Sequence, residues 1–282
     1  VQLELPGALS VPDGRYLARG DGGQRVLVVE TLGAPPPPRR RRRRPKQIEP
    51  EPEASILPVA RVTAVRAHEP FDSAAEAEQW LEQTIDAEEA TDAAVADAVA
   101  LLNRALHAQA VASADPLGSE LRAARAVTVR VGHGSGKEVA AGRFSAAQEI
   151  DVRSAGGSRR QRQDEDLRPQ ERLAAILGGR ERVDTCETLL LRTRADLDAG
   201  RLREAALQLR VTLEALLSEL DGALADPDHE EDMGELRERR KQTGEAANAA
   251  LHGELPLEDE RNVEELAAIC ERILRRRRVL RG

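Results

Sequence analysis

Aromatic side chains are nearly missing from this chain of 282 residues, which has one Tyr, one Trp and two Phe. They are Tyr16, Phe71, Trp80 and Phe144. None lies beyond residue 144, so the second half has no aromatic platform on which nucleic-acid bases can stack. Leu, Val and Ala must fill a core that, at this length, buries roughly 70–75% of the unfolded surface. Cysteine is scarce as well. Cys186 and Cys270 fit no metal-ligand spacing, and both sit in apolar helical patterns where a thiol packs as a small hydrophobe. The sequence leaves a disulfide between them open. No apolar run approaches the ~20 residues that span a bilayer, and no signal-peptide pattern stands at the start. A membrane partner is therefore not expected, and a cytoplasmic location is.

Charge is abundant: 42 Lys and Arg against 50 Asp and Glu give a net charge of −8. An acidic chain with basic islands is a poor general polyanion binder, but it permits local contacts to phosphate.

The pattern predicts an α+β protein, with a mixed β/α domain over 1–150, a linker over 151–170 and an antiparallel four-helix bundle over 171–282. Strand-like runs lie at Arg15–Arg19 and Arg25–Leu32, with a Gly-rich turn between them. Val1–Leu5 is a further strand candidate. A disordered loop is expected over 34–58, where Pro35–Pro38 precede Arg39, Arg40, Arg41, Arg42, Arg43, Arg44 and Lys46. Proline removes backbone donors and like charges repel, which keeps such a segment extended and solvated. Val59–Arg66 reads as a strand, although its larger apolar residues, at 59, 62 and 65, do not alternate. Ser73 with Glu76 forms a capping box before a helix over 74–85. A second long helix, or two short ones, covers 86–112, with Val95, Val99, Leu102 and Leu106 on one face. Ala126–Val131 returns to strand, and Glu138–Ile150 is its candidate return arm.

Beyond Pro169 the pattern is purely helical. Leu189, Leu190, Leu191 and Leu197 supply the apolar side of one helix. Leu202, Ala206, Leu209, Leu213, Leu216 and Leu220 repeat along a second. Met233, Leu236, Arg240, Thr243, Ala247, Ala250 and Leu251 follow on a third, with Gly244 a weak spot and Gly253 a C-terminal cap. Val263, Leu266, Cys270 and Ile273 face inward on a fourth. Short connections favour antiparallel neighbours.

Gly132-His-Gly-Ser-Gly-Lys137 invites a phosphate-loop reading. However, Val131 stands where the first Gly of that motif belongs, and Glu138 stands where it needs a hydroxyl for Mg²⁺. A Gly-rich hairpin turn is expected instead, and a nucleotide-dependent role for Lys137 is disfavoured. Arg275–Arg278 close the last helix, where cations oppose the dipole's negative end, and Glu258, Asp259 and Glu260 complement the other end. His68, His107, His133 and His229 lack the acid or histidine spacing of a metal site, so neither metal nor cofactor is expected. The Arg39–Arg44 run with Lys46 is the candidate contact to RNA or to an acidic protein partner.

Asn248 and His252 lie one helical turn apart, in Asn248-Ala-Ala-Leu-His252-Gly253. With the helix order and Arg210-Val-Thr-Leu-Glu214 on the preceding helix, residues 185–280 resemble the HEPN superfamily of small helical domains, many of which are dimeric ribonucleases. The resemblance implies self-association and a site at Asn248 and His252. Nuclease members carry an Arg shortly before the His, most often directly before the Asn. Here the window reads Glu245, Ala246, Ala247, and Arg240 is three turns away. Metal-free cleavage needs a cation on the phosphorane while His handles the 2′-hydroxyl proton. The leading expectation is therefore a non-catalytic interaction or scaffold protein that uses the bundle for dimerisation or partner binding, with the arginine arm beside it. The alternative is an RNA-binding protein or ribonuclease using His252. The pair can also be read as purely structural, a buried Asn–His pair bridging helices.

Overall fold

A computed structural model describes residues 1–20, 23–33, 57–67, 70–115, 118, 120–151, 170–220, 222, 226–253 and 255–281. Its contacts divide the chain into two compact units, Val1–Gly156 and Gly157–Gly282, and the fold class is α+β.

The first unit holds an antiparallel sheet of six strands: β1 (Gln2–Pro6), β2 (Gly14–Gly20), β3 (Gly23–Leu32), β4 (Val59–Arg66), β5 (Thr128–His133) and β6 (Ala146–Ile150). Their order is β2-β3-β4-β1-β5-β6. Period-two alternation sorts the two faces. Leu3, Leu5, Leu27, Val29, Ala60, Val62 and Val129 form one core with Val95, Leu101, Leu102 and Leu106 of α2 (Glu88–Ser113). In β4 the inward set is Ala60, Val62 and Ala64, so the large residues at 59, 62 and 65 hide an alternation that small alanines complete. β3 and β4 pair directly from Arg25↔Arg66 to Leu32↔Val59, so the proline–arginine segment joins neighbouring strands.

A polar cluster lies on the opposite sheet face, beside Val28. Glu4 accepts from Arg61 Nε at 3.2 Å, Arg61 Nη2 at 3.0 Å and Arg130 Nη1 at 3.1 Å. Gln2, 4% exposed, donates through Nε2 to Thr63 Oγ1 at 3.0 Å and to the Gly142 carbonyl at 2.6 Å. Gly142 has φ +73, and a Cβ there would lie 3.2 Å from Thr63 Oγ1. Both its conformation and its closeness to the sheet favour glycine.

Before α1 (Ala74–Asp86), Ser73 Oγ accepts from the Glu76 amide at 3.2 Å, while the Glu76 carboxylate reaches the amide of Asp72 rather than that of Ser73. α2 is one helix, not two. The return arm is shorter than Glu138–Ile150: a single turn, α3 (Gly136–Val139), intervenes before β6.

The second unit is helical. After α4 (170–177) come α5 (Thr185–Asp198), α6 (Leu202–Leu220), α7 (Pro227–Glu238), α8 (Arg240–His252) and α9 (Leu257–Arg281). Their core contains Leu190, Leu209, Leu213, Leu216, Met233, Leu236, Val263, Leu266 and Ile273. Cys186 and Cys270 are free and fully buried. Leu191 is 71% exposed, because three consecutive leucines at about 100° per residue cannot share one helix face.

The third helix expected from sequence is two. It breaks at Arg239, where φ is −85 and ψ is 1. Arg239 Nη2 there reaches Asn262 at 3.1 Å and Glu265 at 3.0 Å on α9. Gly253 is the C-cap of α8, as expected, its amide donating to the Ala249 carbonyl at 3.1 Å, with an extended φ of 171 that is open to any residue. The C-terminal arginines do more than oppose a dipole. Arg276 Nη1 binds Asp232 at 2.7 Å, and Arg277 binds Asp184. With Asp184 engaged there and making no cap bond, α5 is capped by Glu219 of α6, which accepts from the amides of Cys186 at 2.9 Å and Thr185 at 3.2 Å.

Burial opposes ionisation of Glu219, but hydrogen bonds from the amides and side chains of Cys186 and Thr185 together outweigh it and hold the carboxyl below its usual value of 4.5. Burial is likewise outweighed at Glu4, by Arg61 and Arg130. A carboxyl depressed in the folded state contributes stability in full above its unfolded value and loses it as pH falls through the folded one. Denaturant midpoints should therefore decline below pH 4.5, and the decline should be shallower in Glu219→Gln. Equal acid sensitivity in both proteins would remove Glu219 as a cause.

Candidate functional site

The α6/α8 face is built by periodicity. On α6, Ala205, Ala206, Leu209, Leu213 and Leu216 turn inward, which leaves Arg203, Arg210 and Glu214 along the edge facing α8. On α8 the buried residues are Thr243, Ala246, Ala247 and Ala250, small enough to let the helices approach closely. Partner pairs show that the two run antiparallel. Arg203 Nε donates to the Ala250 carbonyl at 2.8 Å, Arg210 Nη1 to Asn248 Oδ1 at 3.3 Å, and Arg240 Nε and Nη2 to the two oxygens of Glu214, both at 2.7 Å. The first contact satisfies a carbonyl in the last turn of α8, where no intrahelical partner exists.

A groove of about 450 Å³ opens here, lined by Arg210, Glu214, Arg237, Glu238, Arg240, Lys241 and Gly244. Four cations meet two carboxylates, and the Lys241 ammonium also lies 3.5 Å from Glu245. The Glu214 hydrogen bond and charge raise the pKa of Arg240 further, so that guanidinium is a permanent cation.

Asn248 and His252 are both exposed, so the buried-pair reading fails. Alanines at 246, 247 and 250 fill the contact with α6 and leave positions 248 and 252 to solvent. Positions 240, 244, 248 and 252 form a stripe that rotates by about 40° per step. Arg240 and His252 therefore diverge, and neither Asn248 nor His252 lines the groove. Arg210 links the two regions by touching Asn248. Arg210 and Gly244 stand out in the sequence, but the groove does not, because Arg237, Arg240 and Lys241 join Arg210 and Glu214 of α6 only across space. Leu251 and Arg240, expected on the inner face, are exposed.

Arg39, Arg40, Arg41, Arg42, Arg43, Arg44, Lys46 and His68 lie outside the described residues. Lys137 is exposed and stands in the single turn of α3. Burial pushes both thiols up to about 12, with Glu219 adding to the effect at Cys186 and Glu271 at Cys270; neither is a thiolate nucleophile at neutral pH. Among the described residues no group of three or more His, Cys, Asp or Glu is placed to hold a metal, and no helix is long and apolar enough to cross a membrane. His229 is 1% exposed, and among the described residues neither of its ring nitrogens has a hydrogen-bond partner.

Comparison with protein-family models, with curated proteins and with solved structures finds no match in any of the three.

Asn248→Ala and His252→Ala should each shift unfolding free energy by no more than about 0.5 kcal/mol, as exposed substitutions do. Losses of about 1–3 kcal/mol in chemical denaturation would restore the buried pair. His229→Leu should stabilise the protein by roughly 1 kcal/mol, by removing two unsatisfied buried atoms; a lower denaturation midpoint would show that the imidazole has partners.

Proposed function

We propose that the protein is a non-catalytic interaction protein that holds single-stranded RNA by its phosphates on the α6/α8 face. In this reading the helical unit is an antiparallel four-helix bundle whose third leg is kinked at Arg239. The arginine run from Arg39 to Arg44, with Lys46, adds electrostatic contacts. The supporting observation is the groove, where Arg210, Arg237, Arg240 and Lys241 gather on a chain of net charge −8. Contact through phosphate rather than base follows from composition, since no aromatic residue lies beyond Phe144. Recognition is then salt-sensitive and nearly blind to sequence. Self-association belongs to the same reading, with Val211 and Leu251 exposed on the bundle at 52% and 60%.

A second reading, HEPN-like cleavage of RNA, is favoured by one contact. Arg210 reaches Asn248 at 3.3 Å, one turn before His252, so α6 offers a cation that the window before His252 lacks on α8. His252 would take the 2′-hydroxyl proton as the 2′-oxygen bonds to phosphorus, Arg210 would stabilise the phosphorane, and the P–O5′ bond would break with the departing 5′-oxygen taking a proton from water.

Both readings meet one experiment, in which the full chain is titrated into labelled single-stranded RNA at low and moderate salt and the RNA is then run on a denaturing gel. Binding is expected to weaken with salt, with a log–log slope of about −1.5 to −3 for roughly two to four neutralised phosphates, and to leave the RNA intact. Arg210→Ala with Arg240→Ala should lower affinity about tenfold. Cleavage that disappears in His252→Ala would establish the second reading. Absence of binding at either salt would end both.

A further inference from the structure

Gly244 stands in the middle of α8, where glycine is a poorer helix former than alanine. Nothing among the described residues requires it there. Its φ is not positive, and a Cβ built on it meets no atom within 4 Å. Gly132 is the contrast: a Cβ there would fall 2.4 Å from the Ala146 carbonyl oxygen, so packing demands that glycine. At Gly244 the missing side chain instead leaves a notch in the groove floor, one turn after Arg240 and one turn before Asn248. Arg210 faces the notch from α6.

The Arg240 guanidinium is gripped through Nε and Nη2 by the two oxygens of Glu214, both at 2.7 Å. Two parallel N–H···O bonds are also the way a guanidinium holds phosphate. The two side chains of this pair are 60% and 44% exposed, and ion pairs so open to water contribute little to stability. Exchanging the carboxylate for a phosphate therefore asks little of the fold.

We infer that Gly244 is the floor of a seat for one backbone phosphate of single-stranded RNA. Arg210 and Arg240 are its walls, and Glu214 is an internal placeholder that the phosphate displaces. The inference rests on the RNA-binding reading and adds the atoms that receive the ligand and the residue that competes with it.

Gly234 on α7 supplies the control. A Cβ there also meets nothing within 4 Å, but Gly234 does not line the groove. Binding of the full chain to a labelled single-stranded oligoribonucleotide is measured beside thermal unfolding. Gly244→Ala and Gly234→Ala should each raise Tm by about 2–4 °C through helix propensity. Only the change at 244 should weaken binding, and Gly244→Leu, which fills the notch, should weaken it about tenfold or more. Glu214→Gln should tighten binding roughly threefold to tenfold. If Gly244→Leu binds as the unaltered chain does, the seat is wrong while the RNA-binding reading stands. If Glu214→Gln leaves affinity unchanged, the placeholder role is wrong. Failure of the unaltered chain to bind the oligoribonucleotide takes down the reading and the seat together.

Discussion

Close approach through small side chains is the constraint on which both units depend. With aromatics nearly absent, helices and strands must come together over alanine and valine to leave no gaps, because interiors are packed to crystal-like density. In the first unit Ala60 and Ala64 complete the face of β4 that receives α2, and Gly142 lies directly against Gln2 and Thr63 on the other face. In the second unit Ala246, Ala247 and Ala250 bring α8 onto α6. Across that contact Arg203 reaches the Ala250 carbonyl and Arg240 closes on Glu214.

Charge then specifies which helix ends meet. Asp232, 7% exposed, is held by Arg272 and Arg276 of α9. Arg277 binds Asp184 just before α5, and Glu219 of α6 takes over the cap that Asp184 does not make. Helix ends carry unsatisfied amides and carbonyls that must find partners. Here side chains from neighbouring helices supply them, so losing one contact disturbs two elements. The α6/α8 groove differs because its ion pairs are exposed. Pairs so open to water contribute little to the stability of the fold.

Much of this was legible in the sequence and some was not. The strands at 15–19 and 25–32, the helix start at Ser73 and the inward leucines of α6 follow from periodicity and local capping chemistry. β4 was obscured because two of its inward residues are alanines, whose burial depends on what packs above them. The run Leu189–Leu191 suggested one face, but helical rotation sends Leu191 outward. The pair of Asn248 and His252 was readable as one turn of helix; that it faces water depended on the alanines beside it meeting α6.

By itself the sequence determined the class of the protein, the places where strand pattern yields to helix, and the lack of base-stacking aromatics after residue 144. Each of these follows from composition or from the period of one element. Tertiary structure alone decided that β1 lies between β4 and β5, that a helix breaks at Arg239, and that Arg210 and Arg240 flank Gly244. These depend on residues far apart in the chain, whose meeting is set by how faces pack, a quantity that no local window contains.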